Sequence, residues 1–371
     1  MSSFFKHLGM VAFALLPVLS SAALQSGKVQ AGKINGTVTL IDAKAQRKPL
    51  KDGAVFQEGS LVETGVNSTA ELVFSNGASL VVTPNTLVEL RTFRQVPSAD
   101  ITDPYRQIEK DPSPSVTEIE VPRGKIIGEV RKLNALSTFT VKTPAGLVRI
   151  RGTVFTVEYR VGPDGVGRIV VDCVRGSVET TVFSSNAGPV TVEPGTQMAS
   201  SVPSATLINN LARAAANAAA GATGTQPAPA QPGAPKPAAS ALAALAQPVK
   251  IMLYPIPAED LAAIAKLLGA NSTLPAEVAA TLNAMAQSMP TRAQIFGGGI
   301  GGEPSKTYGT VISESQVIDD IAKGSKKGAP AGPVSTTTGG SETLDASLKK
   351  ITDNVERTVE QKQVNPTPTG V

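Results

Sequence analysis

The chain has 371 residues, with 34 basic and 30 acidic side chains, no Trp, four Tyr, ten Phe, one Cys and one His. Large core-forming side chains are sparse for that length, and much of the apolar content is Ala gathered after residue 200, which predicts one well-packed domain rather than two. The small basic excess is spread along the chain, with no basic stripe and no stacking aromatics beside one, which argues against nucleic acid as a partner.

At the N-terminus Lys6 and His7 precede an apolar run over 8–19, and Ser21, Ala22 and Ala23 supply small residues for cleavage. This is the pattern of a secretory signal peptide over 1–23. The run is shorter than the roughly 20 apolar residues a membrane-spanning helix needs, and no Cys follows it to carry a lipid. The expectation is a chain cleaved near Ala23, secreted or periplasmic, with no membrane insertion afterwards. His7 leaves with that segment. A mature chain without imidazole builds no Ser-His-Asp triad, no Cys-His pair and no histidine zinc site, and a lone Cys excludes four-thiolate metal sites. No metal or other cofactor is expected. Cys173 lies in an apolar string, Ile169 to Val174, and reads as a buried structural thiol.

From Gly27 to about Pro203 short alternating runs are broken by turn residues, which predicts an all-β roll or sandwich. Ala70, Leu72 and Phe74 share one face, and Asn76-Gly77 then closes a tight turn into 78–82, the strongest short hairpin signal. The stretch 97–122 holds Pro104, Pro112 and Pro114 among scattered charges and is expected to be a surface loop.

The alternation changes parity between residues 147 and 159. Val148 and Ile150 share one face and Arg149 and Arg151 the other, but Phe155, Val157 and Tyr159 take the odd positions. A strand whose inward face switches contains a bulge, a bend or an end, and Gly152, lacking Cβ, is the residue expected to supply it. The exposed row Arg149 and Arg151, beside Lys142, is a candidate surface for anionic groups.

Beyond residue 206 the composition shifts. Residues 206–248 are Ala- and Pro-rich and read as a linker, extended over 226–237. Two short helices are expected within 249–296. The first has Leu261, Ile264, Ala265 and Leu268 at helical spacing and ends at Gly269. The second carries Val278, Leu282, Met285 and Met289. Each opens with Pro-Ala-Glu, a favourable first turn. Residues 297–371 are Gly-, Ser- and Thr-rich and predict a largely disordered tail. An amphipathic helix is expected near 341–361, where Leu344, Leu348, Ile351 and Val355 form a stripe suited to a partner.

Other motifs fail on detail. The glycines at 297–302 with Lys306 and Thr307 lack the strand and helix that frame a phosphate loop. Asn67-Ser68-Thr69 and Asn271-Ser272-Thr273 match a glycosylation acceptor that arises often by chance. Carboxylate-only chemistry on a glycosidic bond stays open, although nothing in the spacing of Glu63, Glu71, Glu89, Glu158 and Asp172 singles out a pair.

Residues 52–65, 68–74, Asn76 to Leu80 and Pro84-Asn85-Thr86 resemble the FecR domain. So do Arg123-Gly124-Lys125-Ile126, then Thr143-Pro144-Ala145-Gly146, then Arg151-Gly152-Thr153 with Phe155, then Val174 to Val178 and Glu193-Pro194-Gly195. The order of these pieces is the specific part, and the resemblance spans about 27–200. It implies a β-rich extracytoplasmic binding module, with Thr143, Pro144, Gly146, Arg151, Gly152, Thr153 and Phe155 as fold-determining positions. In its best-known setting the family senses an outer-membrane receptor and controls a sigma factor. Here a signal peptide stands where the anti-sigma region and membrane helix belong, so a stand-alone secreted type is expected. The expectation is a non-enzymatic protein that binds another envelope protein or a cell-wall polymer. The alternatives are a structural component of an envelope or surface assembly and a carboxylate-dependent carbohydrate-active enzyme.

Overall fold

Alternating apolar residues over most of 25–203 give strands, because a period of two puts every second side chain on one face. The structure is a computed structural model and describes residues 23–183, 185, 187–204, 208–209, 249–271, 276–297 and 303–312. Residues 1–22, within the expected signal peptide, nearly all of the expected linker, the glycine run 298–302 and the tail beyond 312, with Leu344, Leu348, Ile351 and Val355, lie outside the described residues.

In chain order the strands are β1 (Gln25–Ser26), β2 (Val29–Asn35), β3 (Val38–Ile41), β4 (Arg47–Pro49), β5 (Val55–Phe56), β6 (Ser60–Thr64), β7 (Thr69–Phe74), β8 (Ser79–Val82), β9 (Leu87–Gln95) and β10 (Ser115–Glu129). They continue with β11 (Thr138–Thr143), β12 (Gly146–Ile150), β13 (Val154–Val161), β14 (Val166–Arg175), β15 (Val178–Val182), β16 (Val190–Val192) and β17 (Thr196–Pro203). After the linker come β18 (Ile251–Pro255), the helices α1 (Ala258–Asn271), α2 (Ala276–Ser288) and α3 (Arg292–Phe296), and β19 (Thr310–Ile312).

The strands form two sheets. In the first, β4, β3, β6, β9, β10, β11, β12, β15 and β16 lie side by side, with β1 also beside β9. In the second, β5, β2, β7, β8, β10, β13, β14, β17, β18 and β19 do so. β10 belongs to both. Its N-terminal part pairs with β9 and β11, and Gly124 to Glu129 pair with β8 and β13. The crossing falls at an irregularity between Glu120 and Arg123, where Pro122 has no N–H to donate to a ladder.

Inward faces of both sheets bury one core. Phe93, Phe74, Phe139 and Phe155 run through it in that order, edge to face, with successive centroids 5.2, 6.2 and 6.4 Å apart, an arrangement favoured by the ring quadrupole. The outward faces differ. β12, in the first sheet, alternates buried and solvent-facing residues. In the second sheet β7 and β8 are buried on both faces. Helices α1 and α2 lie over Val81, Ile127, Val154 and Val174 with Leu261, Ile264, Leu268, Val278 and Leu282, while Tyr105 and Ile108 cover Val73.

Four expectations are corrected here. The predicted loop at 97–122 ends earlier, because Ser115 onward forms β10 with alternate residues buried. Glu118 and Glu120 face outward with Val116, and Ile119 and Val121 face inward with Ser115 and Thr117, so the polarity of the run marks a one-sided strand. The helical segment begins with a strand, β18, that extends the second sheet beside β17, and part of the predicted flexible tail pairs with it as β19. Helix α1 passes through Gly269 to Asn271, since that glycine does not take the left-handed conformation of a helix stop.

Candidate functional site

Local chemistry sets up the corner that builds the site. The β11–β12 hairpin turns through Pro144 and Ala145. Thr143 Oγ1 accepts from the Ala145 and Gly146 N–H groups at 3.2 and 3.0 Å and donates to the Gly146 carbonyl at 3.2 Å. At Gly146 a Cβ would stand 2.6 Å from the Thr181 carbonyl oxygen, so the approach of β15 requires glycine. β12 then leaves the first sheet at Ile150 and β13 enters the second at Val154. Between them Gly152 has φ +67°. The expected bend at Gly152 is therefore a corner between two sheets. It also explains the parity change: Phe155, Val157 and Tyr159 reach the shared core, and Val154 points the other way, beneath the helices.

The Thr153 carbonyl accepts from the Val130 N–H at 2.9 Å, which ties the corner to the end of β10. The connection 130–137 and the end of β14 meet there too, leaving an open cleft of about 600 Å³. Arg131, Lys132, Arg149, Arg151 and Arg175 line it, and no acidic side chain does. Arg149 Nη1 lies 2.6 Å from Glu179 Oε1, a pair about half exposed on both sides, and such a pair contributes at most about 1 kcal/mol. Arg175 Nη2 is 3.3 Å from Glu129 Oε1. Arg131 donates to the Arg106 carbonyl at 3.3 Å. Arg151 and Lys132 have no ion pair among the described residues. The adjoining hollow toward α2 adds Glu109 and Glu129 to Arg131, Lys132 and Arg175. The positive excess is thus greatest on the side of Arg149 and Arg151.

Of the three predicted cationic residues, the structure brings Arg149 and Arg151 into the cleft. Lys142 lies on the same outward face of β11 as Thr138 and Thr140, but the cleft wall stops at Thr140. Arg131, Lys132 and Arg175 were not singled out by the sequence. The local signals were a basic pair and an Arg-Gly turn, and neither says that they converge.

Of the carboxylates considered for acid-base work, Glu63, Glu71 and Glu89 occupy separate ion pairs. Glu63 meets Arg47 and Arg123 at 2.5 and 2.6 Å, and the Arg123 hydrogen bond holds its carboxyl below the usual range. Buried Glu71 meets Arg106 at 2.9 Å. Glu89 lies 3.1 Å from Arg91. Glu158 and Asp172 approach the same Lys125 ammonium at 3.7 and 4.0 Å, yet Asp172 is fully buried. It accepts from the Thr156 hydroxyl and from Gln197 Nε2 at 2.5 Å. Gln197 also reaches Asp260 on α1 at 3.4 Å, and Arg292 reaches Asp260 at 2.5 Å. This polar chain fastens the helices to the second sheet, as buried carboxylates need full hydrogen bonding. Cys173 is buried, and burial pushes its thiol up to about 12.

The fold and cleft define a β-roll with a cationic surface cleft and a helical cover. Residues 60–179, from the first residue of β6 into β15, match the family described as FecR protein, the family whose motifs the sequence resembles. Among solved structures the chain is similar to two crystal structures from Parabacteroides distasonis ATCC 8503, each described as a "putative anti-sigma factor". Both are 16% identical and cover 38% of this chain and 53% of that chain, with TM-scores of 0.27 and 0.28. The chain spans about half the length of those proteins. No curated protein matches it. Among the described residues no helix is long and apolar enough to cross a membrane.

Proposed function

We propose that this protein is a non-enzymatic, extracytoplasmic binding protein whose FecR domain holds anionic groups of another envelope protein or of a cell-wall polymer in the cleft beside Gly152. The carrying observation is the lining itself: Arg131, Lys132, Arg149, Arg151 and Arg175 converge with no acidic side chain among them. Guanidinium groups pair oxyanions through two parallel hydrogen bonds. The strands that carry Arg149 and Arg175 are fixed by ladders on both sides, so the cations are held ready before a ligand arrives. Secretion is part of the same proposal and rests on the apolar run over 8–19 with its small-residue cleavage site.

The test is a triple variant, Lys132→Gln with Arg149→Gln and Arg151→Gln, compared with the wild type by crosslinking in intact cells. The expected outcome is loss of the crosslinked partner with thermal unfolding unchanged, because all three side chains are exposed. Identical crosslinked products from both proteins would reject the cleft as the binding surface.

A further inference from the structure

Resting on that reading, we infer that the ligand of the cleft is an acidic segment of a partner protein that carries an apolar side chain among its carboxylates, with Leu136 as the apolar contact. Leu136 lines the same cleft as the arginines. At 76% it is the most exposed large apolar side chain among the described residues. Scattered exposed leucines need no explanation. This one is held in place. The Leu136 N–H donates to Asn134 Oδ1 at 3.1 Å and the Ser137 N–H to the Asn134 carbonyl at 2.9 Å, which folds 134–137 into a tight turn. Ser137 Oγ in turn accepts from the Ser115 N–H of β10 at 2.8 Å. The turn therefore presents Leu136 to solvent from a fixed base beside Lys132.

The rest of the lining narrows the ligand. Its single aromatic ring, Phe139, is 1% exposed and belongs to the core. Unpaired bases bind by stacking on exposed rings, and the cleft offers none. A chain of phosphates would satisfy the arginines and leave Leu136 in water. An acidic peptide with an apolar residue satisfies both, since carboxylates match the guanidinium fork and covering Leu136 removes apolar area from water. The acidic residues of the adjoining hollow, Glu109 and Glu129, repel the carboxylates from that end and set the ligand over Arg149, Arg151 and Leu136.

The test uses the full chain and fluorescence anisotropy with two labelled peptides, one of Asp and Glu around a central Leu and one with that Leu replaced by Ser. Inorganic polyphosphate serves as the non-protein polyanion. The Leu peptide should bind, and more weakly as salt rises. The Ser peptide should bind about tenfold more weakly, consistent with burial of one leucine. Lys132→Glu with Arg151→Glu should weaken both peptides by about tenfold or more, as loss and reversal of two cleft charges requires. Leu136→Ser should weaken only the Leu peptide, so that the losses from the two leucine replacements do not add. Equal binding of the two peptides, or no effect of Leu136→Ser, would overturn the inference. If polyphosphate then binds and the double charge variant abolishes it, the anion-binding reading stands without the acidic peptide. If the double charge variant changes nothing with any probe, both fail.

Discussion

At position 152 there is space for a side chain but not a backbone that accepts one. The atoms that a Cβ on this residue would meet first, the Arg131 carbonyl oxygen and Lys132 Cα, are 3.5 Å from its place, which is ordinary contact, but φ is +67°. β-Branched residues are penalised in that region and Asn is tolerated. Gly152→Val should therefore lower the unfolding free energy by about 1–3 kcal/mol, and Gly152→Asn by clearly less, in urea denaturation. Equal losses would mean that crowding, not the dihedral, sets the requirement. Cys173 gives a second residue-scale outcome. Its thiol is buried, and desolvation, with Glu193 and Asp172 adding repulsion, pushes it from 9.0 up to about 12. A neutral buried acid with a raised value stabilises the fold fully below its unfolded value and loses that contribution as pH rises toward the folded one. The window therefore runs from 9.0 to about 12. At a pH of about 8, below the ordinary thiol value, a thiol reagent should modify Cys173 only after denaturation. Rapid labelling of the native protein would show that β14 opens readily.

Among the elements, the helical cover is decided by what lies beneath it. Periodicity alone announced α1 and α2 through Leu261, Ile264, Leu268, Val278 and Leu282. It left their docking surface open, because an apolar stripe says that a face is buried and not against what. The structure answers with the outer face of the second sheet, Val81, Ile127, Val154 and Val174. Leu282→Ala should cost about 2–5 kcal/mol, the range for emptying a fully buried leucine site, read by thermal or urea unfolding. A chain ending at Ser204 should bind the dye ANS and aggregate, since it exposes that apolar face and the edge of β17. A monomeric truncated chain of unchanged stability would show that the helices are an appendage. The parity change in 147–159 was legible in the same partial way. Alternation located the corner at Gly152, while the even-position apolar residue Val154 made sense only once a second buried face existed. The polar run before Pro122 misled because in β10 outward charges dominate the composition and the inward Val and Ile are few.

For the whole molecule, the chain is proposed to work outside the cytoplasmic membrane, and its N-terminus gives a direct measurement. Intact-mass analysis of the protein from its native envelope should find a chain beginning at Leu24. A chain retaining residues 1–23 would overturn the proposed cleavage.

Turns, strand periodicity and helix starts are short-range properties, so the sequence by itself determined an all-β roll followed by helices and a corner at Gly152. It also carried Arg149 and Arg151 on one strand face, two residues apart, as alternation requires. Only the tertiary structure decided that Arg131, Lys132 and Arg175 join them, that Lys142 does not, and that Leu136 stands at their edge. Those placements depend on ladders between segments distant in sequence, β10 with β13 and β13 with β14, and on the Val130–Thr153 hydrogen bond that draws the 130–137 connection against the corner. Convergence of this kind is a property of the pairing of strands, and no window of neighbouring residues contains it.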